Sequence, residues 1–174
     1  MIKIGYFADG PWSYSAFDRL NEEPGLSIQF VCGRYPKGDM TLKDMAARRN
    51  IPFFQNKDIN SSEFLALIRP FACDLVVSMS FDQIMKPQFF QSPRLGAINC
   101  HAGKLPFYRG RNILNWALIN DEKEFGITVH EVDSGIDTGD IIVQRCFSIT
   151  DDDDYSTLLH RAYLECPNLL MEAV

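Results

Sequence analysis

Asn99, His101 and Asp137 are the residues of this chain whose types and spacing best suit them to chemistry. They lie in a stretch from Leu95 to Ile142 that reads LGAINCHAGKLPFYRGRNILNWALINDEKEFGITVHEVDSGIDTGDII. An apolar run ends in Asn99-Cys100-His101, and a glycine-rich acidic turn, Ser134 to Asp140, follows one intervening helix and strand. An amide, an imidazole and a carboxylate therefore leave separate strand ends and can converge on one pocket. The amide offers hydrogen-bond donors, the imidazole changes charge near neutral pH, and the carboxylate can hold that imidazole. Taken one at a time, each has a plainer reading: an Asn closing a turn, a core-edge His, an Asp capping a turn.

Alternating short strands and helices must position them. Ile2 to Phe7, Leu26 to Cys32, Ile51 to Phe54 and Asp74 to Ser78 read as strands, the last as a continuous buried run. Between them, Trp12 to Leu20, Thr41 to Arg49 and Ser61 to Ile68 read as helices; Thr41 and Asp44 stand in capping-box spacing, and Pro70 stops the third. Ile127 to Val132 and Ile141 to Phe147 read as late strands, and a closing helix starts near Tyr155 behind the acidic loop Asp151 to Asp154. Such alternation predicts βαβ units and a mostly parallel sheet, in which ligands bind beyond the carboxyl ends of the strands.

The 174 residues suit one domain, 1–174, and 46% apolar with 23% charged residues is a globular composition. A formal net charge of −6 excludes a generally basic nucleic-acid-binding face but leaves room for local cation clusters. Cys32, Cys73, Cys100, Cys146 and Cys166 are odd in number and lack CxxC spacing, so free buried thiols in a reducing cytoplasm are expected. No His pair has zinc spacing, and no metal is expected. No signal peptide or membrane-spanning run is visible. Gly5 and Gly10 do not form GxGxxG after the first strand, which argues against a nicotinamide dehydrogenase. The final helix has no stop signal, so a C-terminal extension beyond Val174 is expected.

Asn99-Cys100-His101 with Leu105-Pro106, Tyr108 to Arg111, Gly126 to His130, and Asp137 to Asp140 together resemble the folate-dependent formyltransferase family. The resemblance implies its α/β N-terminal domain, a Rossmann-like, mostly parallel twisted sheet with helices on both faces, and an Asn-His-Asp triad of Asn99, His101 and Asp137. It implies N10-formyltetrahydrofolate as formyl donor, with the loop after the fourth strand holding the pterin. Gln83, Ile84 and Met85 are then cofactor neighbours, and Asp133 and Gly135 close the other side; without the family, Ile84 and Met85 read as core. One departure is plain: many members carry Ser-Leu where this chain has Gly103-Lys104.

Formyl transfer to an amine develops an oxyanion, so the site needs donors aimed at it. Asn99 can give its NH2, and His101 can donate when charged or take the amine proton when neutral. Asp137 can hold the imidazole and favour its charged form. His130 and His160 lack such company and read as structural.

Tyr108-Arg109-Gly110-Arg111 followed by Leu114-Asn115-Trp116 most resembles enzymes that formylate amino sugars on dTDP or UDP carriers for surface polysaccharide. The loop Gly10-Pro11-Trp12 points the same way, and Lys104, Tyr108, Arg109 and Arg111 are the expected substrate contacts. Guanidinium and ammonium groups suit either the substrate diphosphate or the folate glutamate tail, and a solvated basic loop is the plainer reading of each. Trp116, at helical spacing from Ile113 and Ile119, reads as core. The expected partner is a nucleotide-linked amino sugar, with no membrane and no nucleic acid; a homodimer is allowed. Methionyl-tRNA or glycinamide-ribonucleotide formylation are alternatives of the same chemistry. A formyltetrahydrofolate hydrolase and a non-catalytic folate- or nucleotide-binding module stand outside it.

Overall fold

A computed structural model describes residues 1–174. The strands are β1 (Ile2–Ala8), β2 (Leu26–Gly33), β3 (Phe53–Gln55), β4 (Leu75–Met79), β5 (Ala97–His101), β6 (Glu124–Glu131) and β7 (Ile141–Ser148). The helices are α1 (Tyr14–Glu22), α2 (Met40–Arg48), α3 (Ser62–Ile68), α4 (Pro87–Gln91), α5 (Ile113–Ile119) and α6 (Tyr155–Ala173). All strands form one sheet in the order β3-β2-β1-β4-β5-β6-β7. Pairing is parallel from β3 across to β5, and β6 runs antiparallel to both β5 and β7. The chain winds outward from β1 to β3 and then crosses back to β4, so the strand order reverses between β1 and β4. A crevice opens at such a switch point.

Period-two alternation splits the strands' side chains between two cores. Ile4, Tyr6 and Ala8 of β1, with Leu75, Val77 and Met79 of β4, join the larger cluster, which α1, α2, α5 and α6 cover with Phe17, Leu42, Leu114 and Leu158. Phe7 and Val76 point to the opposite face, where Phe64 of α3 and Phe89 of α4 meet them. Phe7 makes edge-on contacts with Phe30, Phe81 and Phe89 at ring separations of 5.4–5.6 Å. Burying each such ring stabilises the fold by about 1.5–3 kcal/mol. Helices thus cover both faces, as expected.

Several boundaries differ from the sequence reading. Pro11–Ser13 forms a 3-10 turn, so α1 begins at Tyr14 rather than Trp12. The cap of α2 is Asp39, whose carboxylate accepts from the Thr41 and Leu42 backbone, not the Thr41-Asp44 pair. Such a cap contributes about 1 kcal/mol. Strand β3 lies later than Ile51 because Asn50, with φ +57°, turns the chain first. Helix α4 was not foreseen; its five residues are too few to show a helical period. Cys32, Cys100 and Cys166 are buried free thiols, whereas Cys146 is exposed on the sheet-edge strand β7. No helix is long and apolar enough to cross a membrane.

Candidate active site

A cavity of about 720 Å³ opens where β1, β4 and β5 end, lined by Gly10–Trp12, Ser80–Met85, Asn99–His101, Gly110–Leu114 and parts of 130–137. Asn99 and His101 face the pocket as alternate residues of β5, with Cys100 between them turned into the core. Asp137 comes from the β6–β7 loop. Asp133 braces that loop by accepting from the Gly135 backbone at 2.9 Å and from the Thr138 hydroxyl at 2.6 Å. Gly139 lies so near the Glu131 carbonyl that any side chain there would collide with it.

Asp137 is the hub. Its Oδ2 accepts from the Gly110 backbone N–H at 2.8 Å and stands 3.6 Å from Nδ1 of His101. Its Oδ1 accepts from Asn99 Nδ2 at 3.4 Å and lies 3.4 Å from Nε2 of His130. Burial pushes the Asp137 carboxyl up, but contact with His130, the His101 ring and the Gly110 N–H outweigh it and leave its pKa lowered. Burial also depresses His101, and the Asp137 charge opposes that without cancelling it. The arrangement keeps a carboxylate beside an imidazole that is readily neutral.

His101 Nε2 lies 2.7 Å from the Tyr108 carbonyl oxygen. A carbonyl only accepts, so Nε2 carries the proton and Nδ1 is the nitrogen left for proton transfer.

His130, read from sequence as structural, belongs to this cluster. It is 2% exposed, and its Nδ1 lies 2.7 Å from the Glu131 carbonyl. With the proton on Nδ1, Nε2 accepts from Asn99 Nδ2 at 3.2 Å. Both hydrogens of the Asn99 amide thus have acceptors, His130 and Asp137, which fixes which end of the amide is nitrogen. These bonds are long, so either hydrogen can be redirected to a developing oxyanion at small cost. His130→Phe should remove this orientation while keeping the ring's volume. The expected loss in kcat stays below the roughly 10²–10³-fold of deleting an oxyanion donor. Steady-state kinetics beside a thermal melt would check it. An unchanged kcat in a folded variant would mean that Asn99 orients itself.

The other expected contacts divide. Gln83, Ile84, Met85, Asp133 and Gly135 all line the cavity, as do Gly10, Pro11, Trp12 and Arg111. The Gln83 side chain is occupied elsewhere, donating to the Asn56 carbonyl at 2.8 Å and accepting from the Ile59 N–H at 3.1 Å. Only its backbone is left to serve a ligand. Ile84 is 60% exposed at the rim while Met85 is buried, so core holds for one and not the other. Apolar Met79, Phe81, Ile84 and Val132, with loop backbone between them, suit a flat heteroaromatic ring.

Lys104, Tyr108 and Arg109 do not sit with Arg111. Their side chains line a separate shallow pocket with Phe107, Trp116 and Asn120. Lys104 pairs with Glu124 there, and the Tyr108 hydroxyl donates to Glu122 at 2.6 Å. The cause is the turn at Gly110, φ +84°, which sends residues on either side of it to different surfaces. Trp116, expected in the core, is 54% exposed, because Ile113, Leu114 and Ala117 supply the buried stripe of α5.

Fold and cavity define an α/β domain with an amide, an imidazole and a carboxylate at a switch-point crevice. The chain belongs to the formyl transferase family, whose model matches residues 34–174. N10-formyltetrahydrofolate is the formyl donor of that family. A methionyl-tRNA formyltransferase of Geobacter metallireducens is 42% identical over 71% of this chain and 40% of its own length. One of Clostridium tetani is 31% identical over 100% of this chain and 58% of its own. The chain thus spans about two fifths to three fifths of the length of these curated relatives. The phosphoribosylglycinamide formyltransferase of Streptococcus pneumoniae superposes with a TM-score of 0.85 at 24% identity, covering 100% of this chain and 97% of its own. A formyltetrahydrofolate deformylase of Pseudomonas syringae also reaches 0.85, at 20% identity, covering 99% of this chain and 59% of its own. These two likenesses concern the fold.

Proposed function

We propose that this chain is the catalytic unit of a transferase that moves a formyl group from N10-formyltetrahydrofolate to a primary amine. The observation that carries the reading is the meeting of Asn99, His101 and Asp137 in one cavity. The donor, when bound, supplies the formyl carbon; its pterin suits the slot between the 80–85 loop and the 132–137 segment. His101 takes the proton of the attacking amine at Nδ1, Asp137 stabilises the imidazolium that results, and His101 returns that proton to the departing N10 nitrogen as the bond between N10 and the formyl carbon breaks. Asn99 turns an N–H towards the oxygen on which negative charge grows.

Methionyl-tRNA is the acceptor that the curated relatives favour, since both of the relatives described above carry that activity in their names. A nucleotide-linked amino sugar is the second reading. It is supported by Arg111, exposed at the rim of the cavity, and by the net charge of −6, which suits a small acceptor better than a polyanion. Formyl incorporation should be measured with methionyl-tRNA and with a panel of dTDP- and UDP-amino sugars in parallel. Turnover with tRNA supports the first acceptor, and turnover with a sugar nucleotide the second. Formate release with no acceptor, or tight donor binding without any turnover, would overturn transfer in favour of a hydrolase or a binding module.

A further inference from the structure

The loop that follows β4 is held at both ends by side chains from outside it. Ser80, its first residue, stands at φ +55°, a left-handed conformation that a residue with a Cβ keeps only where its surroundings impose it. Arg34, just past β2, supplies the constraint. Its Nε and Nη2 donate to the Ser80 carbonyl at 3.0 and 2.6 Å, and Nη2 also donates to the Ser80 hydroxyl oxygen at 3.0 Å. Strand β1 lies between β2 and β4, so the Arg34 side chain crosses the end of β1 to reach Ser80. Asp9, at that end of β1, stands 3.9 Å from Arg34 Nε and accepts from the Arg34 backbone N–H at 3.4 Å.

The far end is pinned by Asn60, which stands shortly before α3. Its amide nitrogen donates to the Ile84 carbonyl at 3.0 Å, and its amide oxygen accepts from the Lys86 N–H at 2.9 Å. Between the two ends the Gln83 side chain is anchored to Asn56 and Ile59. These ties occupy the Ser80 and Ile84 carbonyls and the Lys86 N–H. The backbone groups of Phe81, Asp82, Gln83 and Met85 take part in no backbone–backbone hydrogen bond, and all four residues line the cavity. A row of free N–H and C=O groups suits the edge of a flat heterocycle that carries donors and acceptors of its own.

We propose that Arg34 and Asn60 are positioning residues for the formyl donor: they fix the two ends of the 80–86 segment so that its free backbone groups meet the pterin already in place. The statement about the pterin rests on the reading of this cavity as the donor site; the statement about the loop does not. Holding the loop in its binding conformation raises affinity because it need not be ordered when the donor arrives.

The test uses the whole chain and three variants. Arg34→Met removes the guanidinium donors, Arg34→Lys keeps the charge without the fork, and Asn60→Ala removes the second tie. Nitrogen-15 relaxation reads the order of the Phe81–Met85 amides, calorimetry the binding of tetrahydrofolate, and steady-state kinetics the donor KM and kcat. Without ligand, order parameters in Arg34→Met should fall from about 0.85 to below about 0.6. The apparent dissociation constant rises by the inverse of the fraction of loops still competent, about 10-fold here. The donor KM should follow it while kcat at saturation changes little, and Arg34→Lys should recover part of the loss. Asn60→Ala should move both readouts the same way and stands in if Arg34→Met does not fold. Unaltered order parameters in the folded variants would overturn the holding role. Unchanged tetrahydrofolate affinity in a loosened loop, or a lower kcat with the donor KM intact, would overturn the role in donor binding. A wild type that binds no tetrahydrofolate would remove the donor reading, and the order parameters would still decide whether the two side chains hold the loop.

Discussion

His101→Ala is expected to lower formyl transfer by about 10²–10⁴-fold, the range that a positioned acid–base group supplies. The ring is buried beside the Tyr108 carbonyl, with Nδ1 3.6 Å from Asp137, and the only other imidazole of the cluster has its Nε2 lone pair turned to the Asn99 amide. Asp137 remains, but a carboxylate held below its ordinary 3.8 is too weak a base to replace the imidazole. Donor affinity should survive, because the ring's hydrogen bond and ion pair go to Tyr108 and Asp137 and not to the 80–85 loop. Single-turnover rates and equilibrium donor binding, read beside circular dichroism, would check this. Full turnover in a folded variant would sink the assignment of His101 as the base.

Asp137→Asn should have the second large effect, and its signature is a shift in pH dependence. His101 already titrates below its ordinary 6.5 through burial, and the Asp137 charge pushes it back upward. The activity that needs neutral His101 therefore falls as pH drops through a value below 6.5. Removing the carboxylate deletes the upward push, so this acidic limb should move to still lower pH while kcat on the plateau falls. Stability carries its own sign. The Asp137 carboxyl is lowered from 3.8 in the fold, so its contribution is complete above 3.8 and is lost as pH falls through the folded value. The Asn variant should lack that segment of acid sensitivity. A kcat/KM profile and acid melts measure the two; an acidic limb that moves upward would refute the electrostatic role given to Asp137.

Much of the site was legible before any coordinates. Asn99 and His101 are two apart on one strand, and period-two alternation places both on one face. Asp137 follows a strand and sits in a turn whose glycines announce a tight return. The two-sided core was readable as well, since β4 is a continuous apolar run, which only a sheet covered on both faces can bury. Cap and boundary residues were less so. Asp39 caps α2 from a backbone conformation that Thr41 cannot share once it lies inside the helix.

What the sequence by itself determined was the family, the sheet-and-helix order and the three polar groups, because these follow from local spacing and residue type. What only the tertiary structure decided was who stands beside them. His130 became a partner of Asn99 because the antiparallel register of β5 and β6 sets the two directly opposite, and no periodicity within β6 contains that register. Lys104 and Arg109 parted from Arg111 because the chain turns at Gly110. Gly103 lies against the Tyr108 carbonyl oxygen, five residues away, because the loop folds back onto His101. Alternation tells a residue which face it occupies; strand pairing and loop closure tell it what it touches there.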